Sequence, residues 1–177
     1  MKRLNYKNFW KRILDLLLVL LILTILSPFL IIIAILIRGK MGSPILFTQD
    51  RLGYKGKVFK IFKFRSMTNT QDENGDLMSD DYRLTAFGKF LRNWSIDELP
   101  QLWNIIIGDM SLIGPRPLVA EYKQKYSSKQ MRRHEVRPGI SGWSQVTGRN
   151  TVSWNKKFIR DVWYVDNQCL LLDLKIL

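Results

Sequence analysis

The chain has 177 residues, and 28 lysines and arginines against 15 acidic residues give it a net charge of +13 at pH 7. This length suits a single domain with a hydrophobic core, and the charge predicts an anionic partner such as a nucleic acid, an acidic bilayer or a phosphorylated substrate. One cysteine excludes an intramolecular disulfide, and one histidine argues against a histidine-rich metal site or a Ser-His-Asp triad, so any catalysis uses carboxylates, arginines and lysines.

The N-terminal segment has the composition of a membrane-embedded helix. Residues 1–12 combine five basic side chains with Phe9 and Trp10, a pattern typical of an interface with an anionic leaflet. Residues 13–37 carry Asp15 as their only charge, and a helix of this length measures about 37 Å, enough to cross a hydrocarbon core of roughly 30 Å. The run is long for a signal peptide, and no small-x-small cleavage site follows it.

Two observations predict that this segment enters the bilayer and returns to the same side. Pro28 lacks a backbone N–H, so a break at Ser27-Pro28 leaves carbonyls without a partner, one of which the Ser27 hydroxyl can satisfy. Basic residues flank both ends of the segment, and the positive-inside rule places both ends in the cytoplasm. We therefore predict a re-entrant helix-break-helix within residues 1–40 and a cytoplasmic domain over residues 41–177; a kinked spanning helix is the alternative.

The rest of the chain predicts an α-dominated α+β fold. Two β-like runs, residues 45–49 and 58–64, flank a glycine-containing turn and predict a short β-hairpin with Phe59 and Ile61 on one face. Apolar spacing predicts amphipathic helices, some of which lie on the bilayer surface. The predicted helices cover residues 83–94, 101–107 (ended by Gly108) and 118–135, with an apolar helical face from Trp154 to Trp163 and a polar loop over 71–81.

Two adjacent carboxylates, Asp97 and Glu98, occur within residues 95–103. Acids held this close cannot both ionise freely unless a cation compensates, and a divalent metal or an ordered arginine would do so in a phosphate-binding site. The structural alternative is a capping box at Ser95-x-x-Glu98, in which both residues only cap a helix. Pro100 weakens that alternative because it disfavours helical geometry in the residue before it.

Basic residues near rigid or glycine-rich backbone are candidate phosphate ligands. Two prolines fix the backbone around Arg116, which lowers the entropy lost when its guanidinium binds a phosphate. Arg137 and Arg149 belong to glycine-rich stretches whose backbone amides can approach an anion. Lys63 and Arg65 form a further phosphate-facing pair if the second strand continues. For Arg116 and the Lys63–Arg65 pair, the alternative is a charge that simply faces solvent.

Several motifs in their order along the chain resemble the bacterial sugar transferase family, the small monotopic phosphoglycosyl transferases that act on polyprenol phosphate. The resemblance runs from about Lys11 to Leu177. The matching stretches are Ser27-Pro28, Lys60-Ile61-Phe62-Lys63-Phe64-Arg65-Ser66-Met67, Ser95-Ile96-Asp97-Glu98-Leu99-Pro100-Gln101-Leu102, Gly108-Asp109-Met110-Ser111-Leu112-Ile113-Gly114-Pro115-Arg116-Pro117 and Arg137-Pro138-Gly139-Ile140-Ser141-Gly142-Trp143.

The resemblance implies an activity and a set of site residues. Asp97 would be the nucleophile that takes a sugar phosphate from a UDP-sugar with release of UMP, and a polyprenol phosphate such as undecaprenyl phosphate would then attack the aspartyl intermediate. The implied cofactor is Mg²⁺, bound by Asp97 and Glu98. The implied location is the cytoplasmic face of the bacterial inner membrane, at the first membrane step of a glycoconjugate pathway. The implied substrate-binding residues are Lys63, Arg65, Arg92, Arg116, Arg137 and Arg149, with Asp161 as a further candidate.

Other functions fit fewer of these features. A membrane-tethered nucleic-acid-binding protein would explain the charge but gives the Asp97-Glu98 pair no role, so we expect no nucleic acid partner. An inactive scaffold of the same family is a second alternative, although the acidic pair and Arg116 are present. Direct transfer between the two substrates is an alternative to the covalent route. An anionic bilayer is an expected partner, a homodimer is compatible with the sequence, and the apolar C-terminal segment suggests that the chain is truncated there.

Overall fold

The structure, a computed structural model of the chain, describes residues 6–148 and 152–177. It is mainly helical with two small sheets, in agreement with the predicted α-dominated α+β class. After a π-helical turn (Tyr6–Trp10), the helices are α1 (Lys11–Met41), α2 (Asp80–Arg83), α3 (Ala86–Asn93), α4 (Gln101–Ile107), α5 (Ser128–Met131), α6 (Trp143–Val146), α7 (Trp154–Asn167) and α8 (Leu170–Ile176). The strands are β1 (Leu46–Leu52), β2 (Val58–Phe64), β3 (Ser111–Ile113) and β4 (Gly139–Ser141), and 3₁₀ segments cover Tyr54–Gly56, Ile96–Glu98, Ala120–Lys125 and Arg132–Glu135.

Helix α1 runs without interruption through Pro28. Pro28 has no N–H to donate to the Thr24 carbonyl, and the Ser27 hydroxyl donates to that carbonyl instead, over 3.1 Å. The predicted role of the Ser27 hydroxyl is thus confirmed, whereas the predicted break at Ser27-Pro28 is not an interruption of the helix. Within the described ranges, α1 is the one helix that is long and apolar enough to cross a membrane.

Both ends of α1 pack against the same globular domain. Towards its N-terminus, Val19 is fully buried in the main hydrophobic core, which is built around α4 and β3. Towards its C-terminus lies a second buried cluster, formed by Ile33, Ile37, Phe64 and Leu91. Between the two contacts the helix exposes apolar side chains, a surface typical of contact with a membrane or a partner. These exposed residues include Leu20, Leu21, Ile25, Phe29, Ile31, Ile32 and Ile35.

Polar contacts also fasten the start of α1 to the domain. The Asp15 carboxylate accepts hydrogen bonds from the Ser111 hydroxyl at 2.7 Å and from the Leu112 amide at 3.3 Å. The Lys11 ammonium lies 2.7 Å from the Asp173 carboxylate in α8. Both Lys11 and Asp15 are buried, so the prediction that the N-terminal basic residues face an anionic leaflet is wrong for Lys11.

The predicted β-hairpin is confirmed. Strands β1 and β2 pair antiparallel over their full length, and the 3₁₀ segment at residues 54–56 joins them. Phe59 and Ile61 are buried on one face, as the alternation predicted. The register places Phe47 opposite Lys63 near the open end of the hairpin. Pairing with Phe47 in β1 therefore fixes the backbone position of Lys63 in β2.

The second sheet joins two glycine-containing motifs that were not predicted to pair. Strands β3 and β4 are parallel, with Ser111 opposite Gly139. Gly114 donates its N–H to the Ser141 carbonyl at 2.9 Å, and Gly139 donates to the Pro115 carbonyl at 3.1 Å. A Cβ on Gly139 would lie 2.1 Å from the Gly114 nitrogen, so a side chain cannot be accommodated there. The interpretation of these glycine amides as an anion site is therefore wrong for Gly139.

The helix predicted over residues 83–94 is divided in the structure. Leu84 is extended and ends α2, and Thr85 begins α3 as its cap, accepting a hydrogen bond from the Gly88 amide at 2.9 Å. Such a capping hydrogen bond satisfies a backbone donor that has no partner within the helix. The side-chain cap thus overrides the helical spacing of apolar residues that continues across it.

The single helix predicted over residues 118–135 is wrong. Tyr126 and Ser127 are extended, and Ser127 caps the four-residue helix α5 in a capping box with Gln130. The apolar face predicted around Trp163 does form on α7, where Val162 is buried in the protein. Its neighbours Ile159 and Trp163 remain exposed, so α7 contributes both to the core and to an apolar surface.

We expect Gly88→Ala to destabilise the protein although alanine favours helices. A Cβ at this position would lie 1.7 Å from the Ser66 backbone oxygen, so α3 would have to move away from the segment that follows β2. The strain should cost about 1–3 kcal/mol, against a helix-propensity gain of about 1 kcal/mol. Thermal unfolding in detergent, followed by intrinsic fluorescence, measures the difference.

Gly39→Ala in α1 is the matched control, because its added Cβ meets no atom of the described residues within 4 Å. That variant should unfold at or above the wild-type temperature, since alanine is the better helix former. If Gly88→Ala were as stable as Gly39→Ala, the close contact between α3 and Ser66 would be refuted.

Candidate active site

The Asn104 side chain holds α4 against the free edge of the hairpin. Its Oδ1 accepts a hydrogen bond from the Phe62 amide at 3.0 Å, and its Nδ2 donates to the Lys60 carbonyl at 2.8 Å. Asn104 is fully buried, so losing either bond would leave a buried polar group unsatisfied. Because α4 follows the acidic pair and β2 carries Lys63, this contact sets the distance between them. Sequence analysis missed Asn104, although a polar residue within a short apolar helix is a signal for such a contact.

An uncommon backbone conformation at Ser95 turns the chain into the site. Ser95 has φ 54° and ψ 22°, in the left-handed region that residues with a Cβ rarely adopt. Its side chain makes no capping hydrogen bond, so the capping-box alternative for Ser95 and Glu98 is wrong. The turn leads directly into the 3₁₀ segment that carries Asp97 and Glu98 towards Lys63.

Glu98 is held between two cations. The Lys63 ammonium lies 2.7 Å from Glu98 Oε1, and the Arg116 guanidinium donates to both carboxylate oxygens, with Nη1 3.2 Å from Oε2. Burial alone raises the pKa of Glu98, but the hydrogen bond and attraction of Arg116, together with Lys63, outweigh burial and leave the pKa below its usual value. Glu98 is therefore an ionised carboxylate with both oxygens engaged, and Arg116 is the ordered arginine that compensates the acidic pair.

Asp97 has different surroundings from its neighbour. It is 7% exposed, and its Oδ2 lies 3.9 Å from the Lys63 ammonium, beyond hydrogen-bond distance. Burial raises the pKa of Asp97; attraction to Lys63 offsets part of this effect, and repulsion from Glu98 adds to it. A carboxylate with a raised pKa is a stronger base, and when ionised a stronger nucleophile, than one in water.

The two acids line a cavity of about 570 Å³. This volume is typical of a small-molecule site. Five basic residues line the cavity against three acidic ones, a positive balance that favours an anionic ligand. The basic residues are Arg51, Lys63, Arg65, Arg83 and Arg92, and the acidic residues are Asp80, Asp97 and Glu98.

The structure brings three of the predicted substrate-binding residues into this cavity with the acids. Lys63 contacts the acids directly, as described above. Arg92 donates from Nε to the Ser66 hydroxyl at 2.8 Å. Arg65 is buried and donates from Nη1 to the Ser43 carbonyl at 2.7 Å. All three cations thus come from β2, the residue after it, and α3.

Arg116 reaches the acids from a second cavity of about 620 Å³, which meets the first at Arg51 and Ser95. Asp161 lines this second cavity and pairs with Arg133, whose Nη2 lies 2.8 Å from its carboxylate; both are buried. The same Arg133 nitrogen donates to the Arg116 carbonyl at 2.7 Å, so the ion pair supports the backbone that carries Arg116. Sequence analysis missed Arg133, because nothing distinguishes it from the neighbouring basic residues.

Arg137 lies apart from the acids and lines neither cavity. Its Nε donates to the Gly108 carbonyl at 2.9 Å, and its guanidinium lies over the Tyr54 ring. Arg12 donates to two further carbonyls at the same end of α4, at 2.6 and 2.9 Å. Both arginines therefore cap the negative end of a helix dipole. Arg149, the other arginine predicted from a glycine-rich stretch, lies outside the described residues.

The part of the chain that the structure describes has no group of three His, Cys, Asp or Glu side chains that could hold a metal. Mg²⁺ in phosphate chemistry takes one or two carboxylates and completes its shell with substrate phosphates and water. Asp97 and Glu98 fit that donor set, since both are carboxylates that line one cavity. Asp97 is the more available ligand, because Glu98 already binds two cations.

Comparison with known proteins gives a consistent result over nearly the whole chain. Residues 6–177 match the family described as bacterial sugar transferase. EpsL of Bacillus subtilis (strain 168), described as an uncharacterized sugar transferase, is 52% identical over 167 residues, which cover 94% of this chain and 83% of EpsL.

Two longer proteins are also similar. The UDP-glucose:undecaprenyl-phosphate glucose-1-phosphate transferase of Klebsiella pneumoniae is 39% identical over 178 residues, which cover 95% of this chain and 38% of that protein. The UDP-N-acetylgalactosamine-undecaprenyl-phosphate N-acetylgalactosaminephosphotransferase of Aeromonas hydrophila is 38% identical over 176 residues, 95% of this chain and 42% of its own length. With the match over residues 6–177 and the identity to EpsL, the chain belongs to the bacterial sugar transferase family.

Proposed function

We propose that this chain transfers a sugar 1-phosphate from a UDP-sugar to a polyprenol phosphate, giving a polyprenol diphosphate sugar and UMP. The observation that carries the proposal is the buried Asp97 carboxylate beside a Glu98 that is held by Lys63 and Arg116, in a cavity with excess positive charge. The names of the Klebsiella and Aeromonas relatives, each of which contains a UDP-sugar and undecaprenyl phosphate, support this choice of donor and acceptor.

The transfer proceeds in two displacements at one phosphorus atom. An Asp97 oxygen attacks the phosphorus that carries the sugar, the bond to the bridging oxygen breaks, and UMP leaves with that oxygen and its electron pair. An oxygen of the polyprenol phosphate then attacks the same phosphorus, and the bond to Asp97 breaks, which restores the carboxylate. Neither displacement requires a proton donor, because each leaving group is stable as an anion. A site of carboxylates and fixed cations is therefore sufficient.

The cations around Glu98 lower the electrostatic barrier to this reaction. A diphosphate that approaches two free carboxylates would be repelled, but Lys63 and Arg116 already neutralise Glu98. Arg92 adds a further positive charge in the same cavity. Because these groups are held in place before substrate binds, they stabilise developing charge without reorganisation. We also propose Mg²⁺ as cofactor, bound by Asp97, Glu98 and the diphosphate; when bound, it would neutralise charge on the leaving phosphate.

We propose in addition that the protein lies on the cytoplasmic face of the inner membrane, with α1 embedded in one leaflet. Lys11 and Ile37 are separated by roughly 39 Å along a straight helix. Both nevertheless pack against the same domain, Lys11 through Asp173 and Ile37 through Phe64. A helix that crossed the bilayer would carry one of these ends to the side without the domain. The two contacts therefore support a helix that begins and ends on one side.

Asp97→Asn should abolish UMP release from a UDP-sugar, because an amide cannot form the acyl phosphate. Wild-type protein incubated with UDP-sugar but no acceptor should gain the mass of one sugar phosphate, and the variant should not. Intact-protein mass spectrometry and a UMP assay with UDP-glucose, UDP-galactose and UDP-N-acetylgalactosamine measure both effects. An unchanged unfolding temperature excludes misfolding as the cause.

Turnover by Asp97→Asn above a few per cent of wild type would exclude the covalent route and leave direct transfer. Glu98→Gln is the companion variant: it keeps the size of the side chain but removes the charge that Lys63 and Arg116 share. Activity close to wild type in Glu98→Gln would show that this carboxylate is not required for the reaction.

Arg116→Lys should lower kcat/KM for the UDP-sugar by about tenfold or more, because lysine keeps the charge but loses the planar pair of donors. The loss would have two causes: a weaker contact with the substrate phosphate, and fewer hydrogen bonds holding the Glu98 carboxylate in place. Steady-state kinetics at saturating undecaprenyl phosphate measure it. Equal kinetics for arginine and lysine would show that the two-donor geometry of Arg116 is not used.

Both ends of α1 should be accessible from the cytoplasm only. After Cys169→Ser, a cysteine placed before Met1 and, separately, Gly39→Cys should react with an impermeant maleimide in spheroplasts only after permeabilisation. Gly39 suits this test because a Cβ added there meets no atom within 4 Å in the part of the chain that the structure describes. Labelling of either cysteine in intact spheroplasts would establish a spanning helix instead.

A further inference from the structure

The Arg65 guanidinium carries two hydrogen-bond donors that nothing in the described part of the chain accepts. The side chain is 6% exposed, its Nη1 is bound to the Ser43 carbonyl, and its Nε and Nη2 have no partner among the described residues. Burying a cation with unsatisfied donors costs free energy unless an anionic group accepts their hydrogen bonds and balances the charge. Because Arg65 lines the cavity of Asp97, that group can be a ligand.

The location of Arg65 distinguishes it from the other cations of the cavity. Lys63 is engaged by Glu98, Arg92 is bound to Ser66 on the side of α3, Arg83 pairs with Asp80, and Arg51 donates to Gln49 and Pro117. In the second cavity, Arg116 is likewise engaged by Glu98. Arg65 instead contacts the segment that leaves α1: it donates to Ser43, and a Cβ on Gly42 would lie 3.8 Å from its Nη2. It therefore joins the cavity to the C-terminal end of the apolar helix.

That end of α1 has the features of a lipid-phosphate approach. The helix before it exposes apolar side chains, among them Ile32 and Ile35, while its last turn carries the exposed cations Arg38 and Lys40. An isoprenoid chain can lie along such an apolar surface, and its phosphate group then meets the cations where the helix ends. Arg65 donates to Ser43, which follows this end of α1, and also lines the cavity of Asp97.

We infer that Arg65 binds the phosphate of the lipid acceptor, whereas the group formed by Lys63, Glu98 and Arg116 serves the nucleotide-sugar diphosphate. The inference rests on the proposed function and adds the position of the second substrate. A phosphate held by Arg65 lies in the same cavity as Asp97, as attack on an aspartyl phosphosugar requires. The planar guanidinium suits it, because two parallel donors match two phosphate oxygens.

Kinetics of the two substrates test the assignment. Arg65→Gln should lower kcat/KM for undecaprenyl phosphate by about tenfold or more and leave kcat/KM for the UDP-sugar within about twofold of wild type. Arg65→Lys keeps the charge and should show a smaller loss of kcat/KM for undecaprenyl phosphate. This variant replaces Arg65→Gln in the test if Arg65→Gln fails to fold. Arg132→Gln is the matched control, since it removes a partly exposed arginine that is paired with Glu135 and Asp166. It should leave both values at wild type and so exclude a general effect of net charge.

A binding experiment gives the same answer without catalysis. In the Asp97→Asn background, undecaprenyl phosphate in detergent micelles should raise the unfolding temperature, whereas undecaprenol, which lacks the phosphate, should not. The shift should disappear when Arg65→Gln is added. UDP should still stabilise this double variant, because its proposed contacts are intact.

The outcomes show whether Arg65 binds the phosphate of the lipid acceptor or the diphosphate of the UDP-sugar. A loss confined to kcat/KM for the UDP-sugar would assign Arg65 to the donor and overturn the inference, as would equal losses for both substrates or none. If the wild type turned over none of the UDP-sugars, the proposed function would be in question. The binding experiment would then test the lipid site by itself. An undiminished shift of the unfolding temperature in the Arg65→Gln background would overturn the assignment of Arg65 to the lipid phosphate.

Discussion

The side-chain amide of Asn104 sets the geometry on which the acidic pair depends. It pairs with the edge of β2 much as a neighbouring strand would, donating to one residue and accepting from another. Without it the outer edge of a two-stranded hairpin would be open, and a hairpin of two strands is marginal by itself. Because α4 is fastened to β2 in this way, the residues just before α4 face the cations carried on β2. These two hydrogen bonds join Asn104 to residues of β2 that lie 42 and 44 positions earlier in the sequence.

The two acids are neighbours in sequence but not in chemistry. Glu98 has its charge shared by two cations, which lowers its pKa, while burial raises the pKa of Asp97. Two like groups whose pKa values are shifted in opposite directions by their surroundings are suited to different tasks. In the proposed reaction, Glu98 organises the cations and the less compensated Asp97 is left to react. The left-handed turn at Ser95 leads into the 3₁₀ segment whose Asp97 and Glu98 both face Lys63.

Local patterns in the sequence predicted the hairpin and the α-dominated class, because strand alternation and apolar helical spacing are local features. The grouping of Lys63, Arg65, Arg92 and Arg116 with the acids was implied by the family resemblance. The parallel pairing of β3 with β4 was missed, since it joins segments 28 residues apart whose glycines have the composition of loops. Arg137 was assigned to phosphate binding from that same composition, whereas it caps α4. Asn104 and Asp15 are polar residues in apolar stretches of the sequence, but their partners, like the partner of Lys11, lie too far along the chain to be inferred.

The ion pair between Lys11 and Asp173 has a consequence for how the protein is made. Its partners are separated by 162 residues, so the chain as far as Asp173 must leave the ribosome before the pair can form. Meanwhile α1 is synthesised first, and on the proposed placement its apolar surface enters the bilayer while the charges at its N-terminal end still lack their partners. Asp15 likewise waits for Ser111. The charged end of α1 therefore stays hydrated until α8 is synthesised. On the proposed placement of α1 in one leaflet, this hydration keeps that end at the membrane surface while the orientation of the helix is decided.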